Sequence, residues 1–235
     1  MNEHSKLCCL MKRLEDDEGL CIQRKLNDLD NAALWDFLTG WLKKFEKTSE
    51  NNYAEKFIFL WVSVNAWLSK SVPDITQNYK DEYLIACLSK DKEFQTRFDC
   101  LLESISFKAL IEELWELLPV FQSLWLSNNH IPLWSKNCQN RMSWLMDVIP
   151  KAKGQPFTPY APKCFLQHEQ RDEEIPRDWP HVISVIYQIR CNLFHGGKSY
   201  SRESDRLFLK LAYEILWQMW KEEIPDNVRQ RNVKY

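Results

Sequence analysis

From about Asn52 to Lys70 the chain carries apolar side chains on almost every side of a helix. Within it, the run from Phe57 to Leu68 is broken only by Ser63 and Asn65. A helix that is apolar all round has no face to give to water, so it must sit inside a ring of partner helices. Pro73 ends it. The run is shorter than the ~18–20 apolar residues that span a bilayer, so the expected surroundings are protein and no membrane partner is expected.

Partners for that central helix can be read from periodicity. Leu29, Ala33, Leu34, Phe37, Leu38, Trp41, Leu42 and Phe45 recur at three and four, which predicts a helix over about 28–48. Asp28 and Asp30 stand at its start as caps, and Lys43, Lys44 and Lys47 lie at its end, where cations suit the helix dipole. Two further strong patterns close the chain, over about 179–195 and 202–222, with Ser201 as the cap of the second and Glu203 and Asp205 in its first turn. These four segments predict a four-helix bundle within a single domain spanning 1–235. The stretch 73–175 becomes an elaboration between the second and third core helices, with helices over about 75–89, 91–103, 107–118, 119–127 and 134–149. Prolines at 150, 156, 159, 162, 176 and 180 predict an irregular excursion after that. Residues 1–24 read as a weakly ordered lead-in or a short helix. There is no β-alternation and no internal repeat; the fold class is all-α.

Hydrophobic residues make up 45% of the chain, including 11 tryptophans and 12 phenylalanines, enough for a packed core. The tryptophans mostly fall at helical spacing, which places them in that core. A formal net charge of −2 supplies no overall basic field, so any nucleic-acid contact must come from a local patch. The 8 cysteines show no C-x2-C pair and the histidines do not cluster with them in sequence, so neither a metal site nor a cofactor is expected. Scattered thiols without a signal peptide suggest the reducing cytoplasm.

One constellation carries chemistry. Arg190-Cys191-Asn192-Leu193-Phe194-His195 ends a helix and is followed by Gly196-Gly197-Lys198. On the helical projection Arg190 falls inside the apolar arc, between Ile183 and Ile186, where an arginine must be paired, hydrated or at an interface. Glu55 offers one carboxylate for it, though an acid at a helix start more often faces solvent. His195, five residues on, is turned about 140° from Arg190 on a continuous helix. The two converge only if the helix breaks near His195 or if two chains meet. Gly196-Gly197 supplies a break. Asn192 lies three residues before His195, where it can orient the imidazole. Asn65 projects into an apolar face beside Ile58, Trp61, Val62 and Leu68 and so needs a hydrogen-bond partner. Either it supports Arg190 or His195, or it makes a plain inter-helix bond.

The segment Ile189–Lys198 resembles the Arg-x4-His signature of the HEPN superfamily (higher eukaryotes and prokaryotes nucleotide-binding), especially prokaryotic members whose motif ends in His-Gly. Phe57–Trp67 resembles the second helix of such proteins. The likeness covers about half the chain and leaves 73–175 unassigned. In one departure, Cys191 takes the position after the arginine that many members fill with a polar residue. The resemblance implies an endoribonuclease that works without metal as a homodimer, with a composite RNA site and a toxin or phage-defence role. A cognate antitoxin or regulatory protein would be a further partner. The ribose 2′-hydroxyl would attack the adjacent phosphate to leave a 2′,3′-cyclic phosphate. Arg190 and His195 are the catalytic residues so implied, Asn192 and Asn65 their supports and Lys198 a phosphate contact. Two rivals accompany this reading: a non-catalytic HEPN-like module that binds nucleotides or protein, and a helical adaptor whose working surface is 73–175.

Overall fold

A computed structural model describes residues 22, 28–72, 81–134, 140–195 and 203–225. In chain order the elements are α1 (Asp28–Lys47), α2 (Tyr53–Ser71), α3 (Asp81–Lys90), α4 (Lys92–Leu102), α5 (Ile105–Trp115), β1 (Val120–Phe121), α6 (Ser123–Asn128), α7 (Arg141–Lys153), β2 (Tyr160–Ala161), α8 (Phe165–Gln170), α9 (Trp179–Phe194) and α10 (Glu203–Trp220), with a 3-10 turn at Lys221–Glu223. The class is all-α, and the four strongest periodic segments form α1, α2, α9 and α10.

Local chemistry sets the helix ends. Asn52 caps α2 by accepting the Glu55 N–H at 3.3 Å. Asp91 caps α4 through the Phe94 N–H at 3.0 Å. Asp178 caps α9 through the His181 N–H at 3.1 Å, and Pro180 stands in the first turn, where a missing N–H removes no helical bond.

Along 73–175 the structure departs from the periodicity in several places. Val120–Phe121 was read as the start of a helix but forms a strand, paired antiparallel so that Val120 faces Ala161 and Phe121 faces Tyr160. Strands of two residues are too short to write an alternating pattern. α7 starts at Arg141, capped by Asn140, and runs through Pro150 to Lys153, past the proline expected to end it. The proline-rich excursion holds β2 and α8. Positions 135–139, 196–202, most of the lead-in over 1–24 and the proposed cap Ser201 lie outside the described residues.

The main core joins Leu38, Phe57, Leu60 and Leu68 to Val182, Ile186, Ile189, Leu211 and Ile215, all nearly or fully buried. α3, α4 and α5 belong to this core and are not set beside it: Ile85, Leu88, Phe94, Phe98, Phe107 and Ile111 are equally buried in it. α3 packs on α2 and α9, and α4 and α5 pack on α10. A second apolar cluster gathers Phe121, Trp125, Leu126, Ile131, Trp144, Leu145, Val148 and Tyr160. Six tryptophans are buried (61, 67, 125, 144, 179 and 220), and the other five are half-buried. No helix among the described residues is long and apolar enough to cross a membrane.

Candidate functional site

Helix α9 turns its apolar arc, Val182, Ile183, Val185, Ile186 and Ile189, into the main core. Arg190 is at the edge of that arc and stays half-buried because it has a partner from α3. Its Nη2 lies 2.5 Å from Asp81 Oδ2. The guanidinium also covers the Phe194 ring at 4.6 Å and the Trp61 ring at 5.6 Å, placements that favour a cation over an aromatic face. Asn65 Nδ2 donates to the other oxygen, Asp81 Oδ1, at 3.2 Å. Asn65 therefore braces the carboxylate that holds Arg190, and both alternatives read from its sequence position are partly met: the bond is inter-helical, and it serves the arginine's partner. Glu55 is exposed at the start of α2; the acid beside Arg190 is Asp81.

Asn192 is one of the few buried polar side chains, 3% exposed. Its Oδ1 accepts from the Ser123 N–H at 3.0 Å, the Ser123 hydroxyl at 3.1 Å and Gln188 Nε2 at 3.1 Å. Its Nδ2 donates to the Phe121 carbonyl at 2.8 Å. These bonds tie α9 to the junction of β1 and α6. Both ends of the amide are thus committed to Ser123, Gln188 and Phe121, and none of these bonds reaches His195.

His195 ends α9, its N–H donating to the Cys191 carbonyl at 3.0 Å, and its side chain is exposed. The helix stops at Phe194, two residues before Gly196. Ser184, Tyr187, Gln188, Cys191, Asn192 and His195 recur at three and four along α9 and line one wall of a cleft of about 530 Å³. The opposite wall is built by Gln122, Ser123 and Leu124 at the start of α6 and by Phe157, Thr158, Tyr160 and Lys163 around β2. Arg190 lies outside this lining. Within one chain, then, arginine and histidine face different surroundings, as the helical geometry requires. Lys198 lies outside the described residues.

Burial shapes the titration of the cleft. The Cys191 thiol is pushed up by burial, against the lowering pull of hydrogen bonds from Arg190 and Tyr187. Burial also raises Tyr187 and Tyr160, with Cys191 and Glu82 adding to the first and Glu169 and Cys164 to the second. Tyr213 in α10 is pushed up to about 12, first by burial and then by Glu214. For these phenols the folded chain holds its proton beyond the pH at which the unfolded chain releases it. Their stabilising contribution is whole below pH about 10; that of Tyr213 is lost as pH rises toward about 12, and those of Tyr160 and Tyr187 at higher pH still. A pH titration followed by phenolate absorbance and circular dichroism is expected to show these three ionising together with loss of helix. Phenolate near pH 10 in a fully helical protein, assigned to any of the three by its loss in the corresponding Tyr→Phe variant, would contradict it.

Sequence spacing missed one grouping. Cys164, His168 and His181 are all buried, and their donor atoms lie within 4.8 Å of one another. The expectation that histidines and cysteines stay apart fails because the excursion after α7 folds back onto the start of α9. The legible signal was Cys164-x3-His168, a one-turn spacing in a segment read as irregular.

Comparison of the chain with protein-family models, curated proteins and solved structures found no match.

Proposed function

We propose that the protein is an endoribonuclease of the HEPN kind, acting on RNA as a homodimer, with His195 and Arg190 as catalytic residues. The observation that carries this reading is the cleft that runs along α9 and ends at His195. Its amides and hydroxyls (Gln122, Ser123, Thr158, Gln188) suit the edges of bases, and Phe157, 53% exposed, offers a face on which one can stack. At its end His195 takes the proton of a ribose 2′-hydroxyl as that oxygen attacks phosphorus, and the 5′-oxygen leaves as a hydroxyl by taking a proton from water. Arg190 braces the charge of the phosphorane. The two groups diverge in one chain, so in this reading the second copy supplies the arginine that the first copy's histidine needs.

His195→Ala is expected to lower RNA cleavage by at least a hundredfold, since general acid–base groups contribute about 10²–10⁴-fold. Its side chain is exposed, so stability should stay within about 0.5 kcal/mol of wild type. The assay uses total RNA with magnesium omitted, and cyclic-phosphate ends are scored directly. Cleavage that persists in both His195→Ala and Arg190→Ala, or that requires added magnesium, would overturn the mechanism.

The divergence of Arg190 and His195 favours a second reading, a module that binds nucleotide or protein without cutting. An oligonucleotide bound in the cleft and released intact by a dimer would establish it.

A further inference from the structure

We infer that Cys164, His168 and His181 form a binding site for a transition-metal ion, zinc by its donor chemistry. This inference does not rest on the ribonuclease reading. The backbone places the donors. Cys164 stands at the start of α8, and the His168 N–H donates to the Cys164 carbonyl at 3.1 Å, so thiol and imidazole share one face a turn apart. His181 arrives from the first turn of α9, with Nε2 3.2 Å from Cys164 Sγ.

Distances and orientation both suit a metal. Tetrahedral zinc with ordinary bond lengths sets a sulfur and a nitrogen about 3.5 Å apart, close to the 3.2 Å between Cys164 Sγ and His181 Nε2, and all three donors lie within 4.8 Å of one another. The outer nitrogens face acids. His181 Nδ1 contacts Asp178, and His168 Nδ1 lies 3.4 Å from Glu173 Oε2. The Asp178 carboxylate behind His181 fixes the tautomer that presents its Nε2 toward Cys164, the usual outer shell of a zinc-bound histidine. One thiolate and two imidazoles select zinc over magnesium or calcium, which prefer oxygen. Binding would release the Cys164 proton to solvent.

Such an ion would staple α8 to α9 and thereby fix Tyr160 and Lys163, the β2 side of the cleft, against the helix that carries His195. Its part is to hold that wall, and no cleavage step passes through it.

The test uses the full chain, purified without affinity metals. About one zinc per chain is expected by elemental analysis after gel filtration. Stripping with phenanthroline should lower the melting temperature, and zinc alone, at a hundredfold excess over its Kd, should restore about 5–10 °C. Cobalt should give a thiolate charge-transfer band that Cys164→Ser abolishes. Asp178→Asn keeps a good helix cap but removes the carboxylate behind His181, and should weaken zinc binding by about 10–100-fold. A folded wild-type chain that binds neither zinc nor cobalt would overturn the inference and leave the trio as hydrogen-bonded core. So would a cobalt band that survives Cys164→Ser. RNA cleavage does not enter any of these readouts, so the two proposals stand or fall separately.

Discussion

Replacing Asn192 by alanine is expected to lower the free energy of unfolding by about 2–5 kcal/mol. The truncation strands the buried Ser123 N–H and the Phe121 carbonyl, and each unsatisfied group costs about 1–3 kcal/mol. For a chain of this length that corresponds to a drop of roughly 5–15 °C in melting temperature. Asn192→Asp separates the two halves of the amide. It keeps the acceptor for Ser123 but sets a carboxylate against the Phe121 carbonyl, so it too should destabilise. Urea unfolding at equilibrium decides the matter, and a loss below about 1 kcal/mol for Asn192→Ala would show that water replaces the bonds. This result also bears on function. An asparagine three residues before the proposed catalytic histidine invites a chemical role, whereas under the ribonuclease proposal a loss of cleavage in the alanine variant should track unfolding.

Trp179→Ala should be at least as damaging, about 3–5 kcal/mol. The indole is almost wholly buried, stacked on Phe94 with ring centres 5.7 Å apart and tilted against Phe98 at 6.1 Å. Its Nε1 donates to the Leu88 carbonyl at 2.9 Å, so truncation opens a cavity and leaves a buried acceptor without its donor. Trp179→Phe retains most of the packing and should cost about 1–2 kcal/mol, the part due to the hydrogen bond and the smaller ring. Equal losses in the two variants, measured by denaturant midpoint at constant slope, would argue against this division. Trp179 joins the start of α9 to the end of α3 and to α4, so the effect should spread to the Asp81–Arg190 pair.

Periodicity served well where a helix has one apolar face and a long run to display it, as in α1, α2, α9 and α10. It also required Arg190 to be paired, hydrated or at an interface, and on a continuous helix it turned His195 away from it. It could not name Asp81, because an ion pair between α3 and α9 is a fact of topology and leaves no local trace. The same holds for Asn192, whose partners Phe121 and Ser123 are about seventy residues away. β1 and β2 escaped because two residues carry no period. The Cys164–His168–His181 group was hidden by the prolines around it, which mark irregular chain but do not say where that chain returns.

Asn192 and Gln188 of α9 stand on one side of the cleft, with Ser123 and the short β1–β2 pair on the other, where the two apolar clusters adjoin. Hydrogen bonds can be broken one at a time, whereas a close-packed core gives way all at once. The bonds from Asn192 to Ser123 and Phe121 hold the smaller cluster around Trp125 and Trp144 to α9, while Trp134 and the β1–β2 pair join it to the larger core. The cleft lies along those bonds, so a ligand that bridged Gln122 and Gln188 would act as a clasp beside them.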